Sequence, residues 1–531
     1  MQAPLRHFTA RAEFAIIPVY LLITLLIGFA SRRRVSGSND FLNATGSQPF
    51  WIVAAAFFSS NCGALEIIGL SAVAAQYGVQ AFHFYWIGAI PSMIFLSALM
   101  MPLYMRAGVR SLPEYLERRY SSRLRLINAW LILLTVLAVS GIGVYAMAQV
   151  LHVIFEWPFA GGAWLAATVV LVYVLLGGVR ATIYNEVFQL LIIVLGLLPL
   201  VLRIHPVMSA PALLSGSYWH LWRDLPVFST SAPLDVFGVV FGLAFVLSTN
   251  YWCTDFVQIQ RALTARSVHA GRMVPLVAGF GKLGFSMLVV LPALGAASVL
   301  GTRMPPSYDQ TLPVLMAVSY GPLLLGLGLT ALLASLMSGL AANVSAFASL
   351  WTEEIYRTSL HRGATEEHYM RISRGAIVAG ILFSVAASYL SFFFRDLMEM
   401  VQMVFSLFGA PFLAVLLTGF FSRRATTVGV TAGLICGVVT SATLHLLALT
   451  NYFMYGSQMS TNFHSAAYGF SMSLAICLLC SRHKDRKSDE QLHGLVYELC
   501  DLRQLLPESR TWWVLALILI AMCVTLDYLW Y

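Results

Sequence analysis

The feature that most constrains this chain is the recurrence, fourteen times, of apolar runs about as long as a helix needs to cross a bilayer. They fall near 14–31, 50–75, 82–105, 126–151, 160–177, 186–203, 235–257, 273–300, 313–350, 374–392, 397–420, 427–448, 465–480 and 511–531. Roughly 20 consecutive apolar residues cover about 30 Å of hydrocarbon. With 59% hydrophobic and 11% charged residues over 531 positions, no soluble surface can be assembled from what is left. The sequence therefore predicts an all-α polytopic membrane protein of about fourteen transmembrane helices. The first run ends in Arg32, Arg33 and Arg34 without a small-residue cleavage site, so it reads as a retained span and not a signal peptide.

Lys and Arg set the orientation, because basic residues collect in cytoplasmic loops. With the amino terminus outside, the inner segments hold 25 of the 32 basic residues, while the outer ones hold Arg6, Arg11, Arg203, Arg223, Arg303 and Arg395. Lys282 alone lies inside a run. Both termini are thus expected to be extracytoplasmic. The net charge of +8 follows from this topology and implies no nucleic-acid partner. The seven cysteines fall within spans or on the inner side, in no disulfide or metal-binding spacing, and read as small apolar fillers.

Two runs are interrupted by polar residues. The second carries Ser59, Ser60, Asn61, Cys62, Gly63 and Glu66 at mid-depth, and the seventh carries the stretch from Ser248 to Asp255. Lipid-facing helices do not tolerate such groups, and a helix broken at membrane depth must bury its freed peptide groups or line a wet cavity. Transporters build midplane binding sites in this way. The two interrupted spans lie five helices apart, the spacing of inverted repeats with a site between them. One transmembrane transporter domain, 1–531, is expected, with core repeats at about 50–203 and 235–420 and peripheral helices at 14–31, 427–448, 465–480 and 511–531.

Four segments then resemble one family. They are FFSSNCGALEIIGL on the second run, GGVRATIYNEVFQ from Gly177 to Gln189, YWCTDFVQIQRAL from Tyr251 to Leu263 with Lys282 downstream, and ASLMSGL from Ala334 to Leu340 followed by TEEIY. MVQMVFSLFGAPFLAV around Gln402, GVRSLPEYLERRY after the third run and GLVYEL before the last extend the likeness over nearly the whole chain. The chain is similar to the sodium/solute symporter family, nearest the sodium/glucose cotransporter branch. The resemblance implies a leucine-transporter-like fold with a 5+5 inverted-repeat core, symport with Na+ and alternating access around a central site. It carries no organic cofactor.

Position by position, the resemblance places the sodium ligands at the backbone carbonyls of Ser59 and Cys62, with the Ser335 carbonyl and the Ser338 hydroxyl opposite. Sodium takes hard, uncharged oxygens of this kind. The family's second hydroxyl is here Gly339, one ligand fewer. The competing reading is that these small residues simply let helices approach closely. Glu186 stands where some relatives hold a further ion, or it caps the start of the sixth helix. Ala342 stands where a hydroxyl of that further site would be, so a single coupled ion is expected.

The resemblance places the substrate on Asn61, Glu66, Tyr85, Ser248, Tyr251, Trp252, Lys282 and Gln402. Amides, an ammonium and flat aromatic faces suit a polyhydroxylated ligand. Two positions depart from the family: Tyr85 replaces a Glu, and Glu66 puts an acid where relatives have a neutral or imidazole group. Glu66 needs a counter-charge at mid-membrane, and Lys282 is the first candidate. A protonatable Glu66 keeps proton coupling (H+) open beside sodium. Asp255 with Arg261 reads as a helix-end pair or inner gate, and Glu399 with Arg395 and Asp396 as an outer gate network or solvated charge.

The twelve histidines are scattered without metal or catalytic spacing, so no enzyme is expected. The expectation is a secondary active transporter in the cell membrane, moving a small polar solute, most plausibly a sugar or polyol, as a monomer or weak oligomer in the lipid bilayer. The alternatives are a proton-coupled carrier, a carrier of an amino acid, carboxylate or cation, and a non-transporting sensor of the same fold.

Overall fold

The computed structural model describes residues 15–32, 41–42, 50–109, 111–208, 216–301, 304–394, 396–481, 487–497, 507 and 509–531. The amino-terminal residues 1–14 and Arg33, Arg34, Arg303, Arg395 and Cys500, all named above, lie outside them.

Hydrocarbon offers the peptide group no hydrogen-bond partner, so the spans satisfy their own backbone as helices. They are α1 (Ile16–Arg32), α2 (Phe50–Asn61), α3 (Leu65–Phe82), α4 (Phe84–Arg106), α5 (Ser122–Phe155), α6 (Phe159–Met208), α7 (Gly238–Thr254), α8 (Phe256–Leu263), α9 (Val268–Leu300) and α10 (Pro322–Leu360). They continue with α11 (Glu366–Phe393), α12 (Leu397–Phe421), α13 (Thr427–Leu449), α14 (Gln458–Cys480) and α15 (Arg510–Leu529). Among the described residues, eleven helices are long and apolar enough to cross a membrane, and the three remaining apolar helices are α1, α2 and α7. The runs fall largely on these helices, and the ninth begins on a separate short helix, Thr311–Ser319, before α10.

Their starts are written in the sequence. Ser121, Asp255, Ser267, Thr365, Asp396, Thr426 and Ser457 each accept a hydrogen bond from the backbone N–H three residues on, satisfying a donor that has no partner inside the helix.

Three local features locate the expected interruptions. The fifth and sixth runs, expected as two spans with a loop at Arg180, are two helices within α6 that join at Gly178, whose non-helical φ of +55° and ψ of −147° suit glycine and let the chain pass over Phe41. Glu186 lies eight residues beyond this break, two turns inside the second helix and not at its start, so it does not cap that start. The interruption expected from Ser248 to Asp255 opens at its far end: the backbone stays helical through Thr254 and leaves the helix at Asp255 (ψ 123°). Polar side chains at Ser248 and Asn250 are housed inside the bundle, so the helix can hold them without breaking.

α10 is the buried axis of the bundle, packed against α5, α6 and α11. α2 and α9 lie together, α1 leans on α6, and α13 and α14 pair at the periphery. Tyr173 donates to the Met337 carbonyl (3.2 Å) and Gln189 to the Tyr20 hydroxyl (2.9 Å), tying α6 to α10 and α1.

Candidate functional site

Ser59, Ser60 and Asn61 are poor helix formers in sequence, and Gly63 adds backbone freedom, so α2 ends there. The chain bends through Cys62 and Gly63 before α3 begins, with Cys62 N–H on the Ser59 carbonyl (2.9 Å) and Glu66 N–H on the Gly63 carbonyl (3.2 Å). The carbonyls of Ser59 and Cys62 are left facing α10. There the Ser335 hydroxyl donates to the Cys62 carbonyl (2.6 Å) and the Ser338 hydroxyl to the Ser59 carbonyl (3.3 Å). The four residues expected at the ion site are thus in mutual contact, all fully buried. For Ser335 it is the hydroxyl, in addition to the expected carbonyl, that faces the break.

Gly339 has a physical reason. A methyl group on Gly63 would lie 3.3 Å from the Gly339 Cα and 3.9 Å from the Ser335 carbonyl oxygen. Two facing glycines let the broken helix approach α10 closely, as small residues do in membranes. The hydroxyl missing from this position is exchanged for proximity.

Beside the break lies a cavity whose wall includes Asn61, Glu66, Tyr85, Ser248, Tyr251, Trp252, Lys282 and Gln402. All eight substrate-site residues expected from the sequence are brought together. Glu66 and Lys282 form an ion pair at 2.6 Å, with the lysine 1% exposed. The ammonium sits among the rings of Phe58, Tyr85, Trp252 and Phe285, 5.4–5.9 Å from their centroids, so aromatic faces replace part of its lost hydration. The pair cancels two charges within the wall.

The remaining polar groups leave acceptors open. Asn61 Nδ2 donates to the Tyr251 hydroxyl, and Gln402 Nε2 contacts Met398 Sδ (3.5 Å), leaving Asn61 Oδ1 and Gln402 Oε1 without hydrogen bonds among the described residues. Gln258, which sequence reading missed, also lines the cavity, its Nε2 3.5 Å from the Tyr251 hydroxyl and its Oε1 unmatched. Its clue was the spacing: seven residues after Tyr251, two turns on, across the opening at Asp255. Asn343, one turn beyond Gly339 on α10, was missed as well.

Asp255 and Arg261 do not pair. The Asp255 carboxylate caps α8 through the Gln258 N–H (3.1 Å), while Arg261 reaches Glu186 at 2.9 Å, both side chains wholly buried. The Ser59 hydroxyl donates to the Glu186 carbonyl (2.6 Å), so this ion pair adjoins the break. On the other side of the bundle Asp396 caps α12, and Asp309 accepts from the Leu397 N–H (3.2 Å). Burial and the neighbouring Asp396 and Glu399 push the Asp309 carboxyl well above the usual carboxylate range, against the Leu397 hydrogen bond that lowers it.

Comparison with known proteins follows this geometry. The family model for the sodium:solute symporter family matches residues 41–437. The chain belongs to the sodium:solute symporter family. As a symporter of this family it is a multi-pass membrane protein that carries solutes. It is 25% identical to sodium/glucose cotransporter 1 of Ovis aries, over 80% of this chain and 70% of that protein. It is 23% identical to the sodium/glucose cotransporter of Vibrio parahaemolyticus, over 85% and 88% respectively. In fold it matches a Na+-coupled sialic acid symporter in a substrate-bound outward-open state (TM-score 0.77, 17% identity, 90% of this chain and 99% of that one). It also matches a nucleobase-cation-symport-1 family transporter with bromovinylhydantoin bound (TM-score 0.52, 12% identity, 87% and 99%). The symporter fold that the family resemblance implies is therefore the one observed.

Proposed function

We propose that this symporter couples Na+ entry to the uptake of a small, neutral, polyhydroxylated solute, a sugar or polyol, across the cell membrane. The observation that carries the reading is that the broken helix α2–α3 contributes both to the carbonyl cluster at Ser59 and Cys62 and to the cavity wall at Asn61 and Glu66. Sodium on Ser59, Cys62, Ser335 and Ser338 would fix the break, and the solute would bind the same segment one turn on. Each ligand then favours the conformation the other needs, and coupling is reciprocal. The sugar-carrying relatives support the solute class, as do the internally balanced Glu66–Lys282 pair and the unmatched amide oxygens of Asn61, Gln258 and Gln402, which call for hydroxyl donors.

The same reading includes fourteen spans with both termini outside, one transporter domain with 5+5 inverted repeats, and a single coupled ion. Arg261 already supplies a cation at Glu186, which supports one ion over two. Glu66 is the residue through which a proton would be coupled, and its pairing with Lys282 favours sodium. A second reading, an amine-bearing solute, rests on Asp255, an acid in the cavity wall with no basic partner facing it at ion-pair distance among the described residues.

The test is uptake by proteoliposomes of labelled D-glucose, D-galactose, D-mannose, myo-inositol, amino acids and carboxylates, driven by a sodium or a proton gradient. Sodium-driven accumulation of a sugar or polyol is expected. Accumulation driven only by protons, or confined to amines, refutes the assignment, and saturable binding without accumulation marks a sensor.

A further inference from the structure

A second cavity lies beyond the central one, between α5, α7, α8 and α12. Tyr251, Asp255 and Phe405 line both. The Tyr251 and Phe405 rings, with centroids 5.6 Å apart, stand between the two spaces. The second cavity is reached by following α7 and α12 past those rings, toward the end of the bundle where α5 starts and the helix Leu112–Arg119 lies. By the charge pattern this is the cytoplasmic end.

Its wall carries Asn128, Asn250 and Thr254 together with the rings of Phe408 and Phe412. Asn128 is 2% exposed, and its Oδ1 accepts no hydrogen bond among the described residues. An amide oxygen buried at membrane depth without a partner is costly, and a helix that needed only bulk would place Leu there. Asn250 accepts from the Thr254 hydroxyl on Oδ1 (2.8 Å), which leaves its Nδ2 to donate. A side chain on Gly409 would collide with that Nδ2 at 2.1 Å, so the glycine keeps the amide's space open. Amides facing aromatic rings bind molecules that have hydroxyls on their rim and C–H groups on their face.

We propose that this inner cavity is a second solute site, a release station in which Asn128 and Asn250 hydrogen-bond the hydroxyls of a sugar or polyol and Phe408 and Phe412 cover its apolar face. The proposal rests on the reading of this chain as a carrier of such solutes. Solute leaving the central cavity passes between Tyr251 and Phe405, rests here, and is released to the cytoplasm.

The experiment compares the two faces of the carrier. Proteoliposomes are loaded with whichever of labelled D-glucose, D-galactose, D-mannose or myo-inositol the wild type accumulates, and efflux is measured against internal concentration. Asn128→Leu keeps the bulk and removes the amide. The half-saturating internal concentration should rise about five-fold, the loss of one hydrogen bond, while sodium-dependent binding from the outer face stays within about two-fold. Phe412→Leu should show the same one-sided change and serves if Asn128→Leu does not fold. Unchanged efflux in the variant that folds, or equal losses on both faces, overturns the second site. Failure of the wild type to accumulate any of the four solutes overturns the carrier reading and the site with it, whereas failure confined to the variants' efflux leaves the carrier reading intact.

Discussion

The Glu66–Lys282 pair allows a prediction with a magnitude. At 2.6 Å and an effective dielectric of about 20, the attraction is about 6 kcal/mol before the cost of desolvating both groups is subtracted. Removing one partner strands the other, which generally costs about 3–5 kcal/mol. Four aromatic rings around the ammonium return about 1–2 kcal/mol to a lone lysine, so Glu66→Gln should destabilise by about 3 kcal/mol. Lys282→Met leaves a carboxylate with no such surround and should cost more. The double variant should recover most of the loss, giving a coupling energy of at least about 2 kcal/mol in a double-mutant cycle. Reversible unfolding in mixed micelles measures the stabilities, and sodium-driven uptake is followed in parallel. Recovered stability without recovered uptake assigns one of the two side chains to solute contact. Single variants that each cost under about 1 kcal/mol, with additive effects in the double, would refute the pairing.

Ser338→Ala should raise the sodium concentration needed for half-maximal uptake about ten-fold, the equivalent of about 1.4 kcal/mol, with membrane insertion unchanged; an unaltered sodium curve removes Ser338 from the ion site. Gly63→Ala forces a few tenths of an ångström between α3 and α10, so sodium activation should weaken without any hydroxyl being lost, and wild-type activation would show that the close approach does not set the site. Asp309 has its folded carboxyl raised above the unfolded value, so the folded state holds the extra proton and stability falls as pH rises out of the ordinary carboxylate range toward the raised value. Asp309→Asn should flatten that part of the melting-temperature profile and stabilise the protein at alkaline pH; an identical profile sinks the assignment.

Hydrophobic length and charge made the helices legible, because lipid leaves the backbone few alternatives. The break at Cys62–Gly63 was legible too, since Ser59, Ser60, Asn61 and Glu66 have no business on a lipid-facing rod. The opening at Asp255 lies at the far end of the polar stretch that begins at Ser248, and a polar run does not reveal which of its side chains the bundle will house. The division between the fifth and sixth runs was legible as well, although the join is the single left-handed residue Gly178, two residues before Arg180. The Glu186–Arg261 pair joins residues 75 positions apart, a distance over which local spacing carries no information. Asp255 was the nearer acid to Arg261 in sequence, but its carboxylate was already engaged at the α8 start. Gln258 escaped notice for a related reason: across a helix opening, periodicity restarts, and the face of the next segment must be read anew.

Ser59 is a junction. Its carbonyl turns toward Ser338 and its hydroxyl grips the main chain of Glu186, which in turn holds Arg261 in the last turn of α8. A displacement of that one residue by a fraction of an ångström would reach two helices by way of short, dry contacts. If sodium binds as proposed, its arrival at one end of this linkage and a shift of α8 at the other would be a single mechanical event.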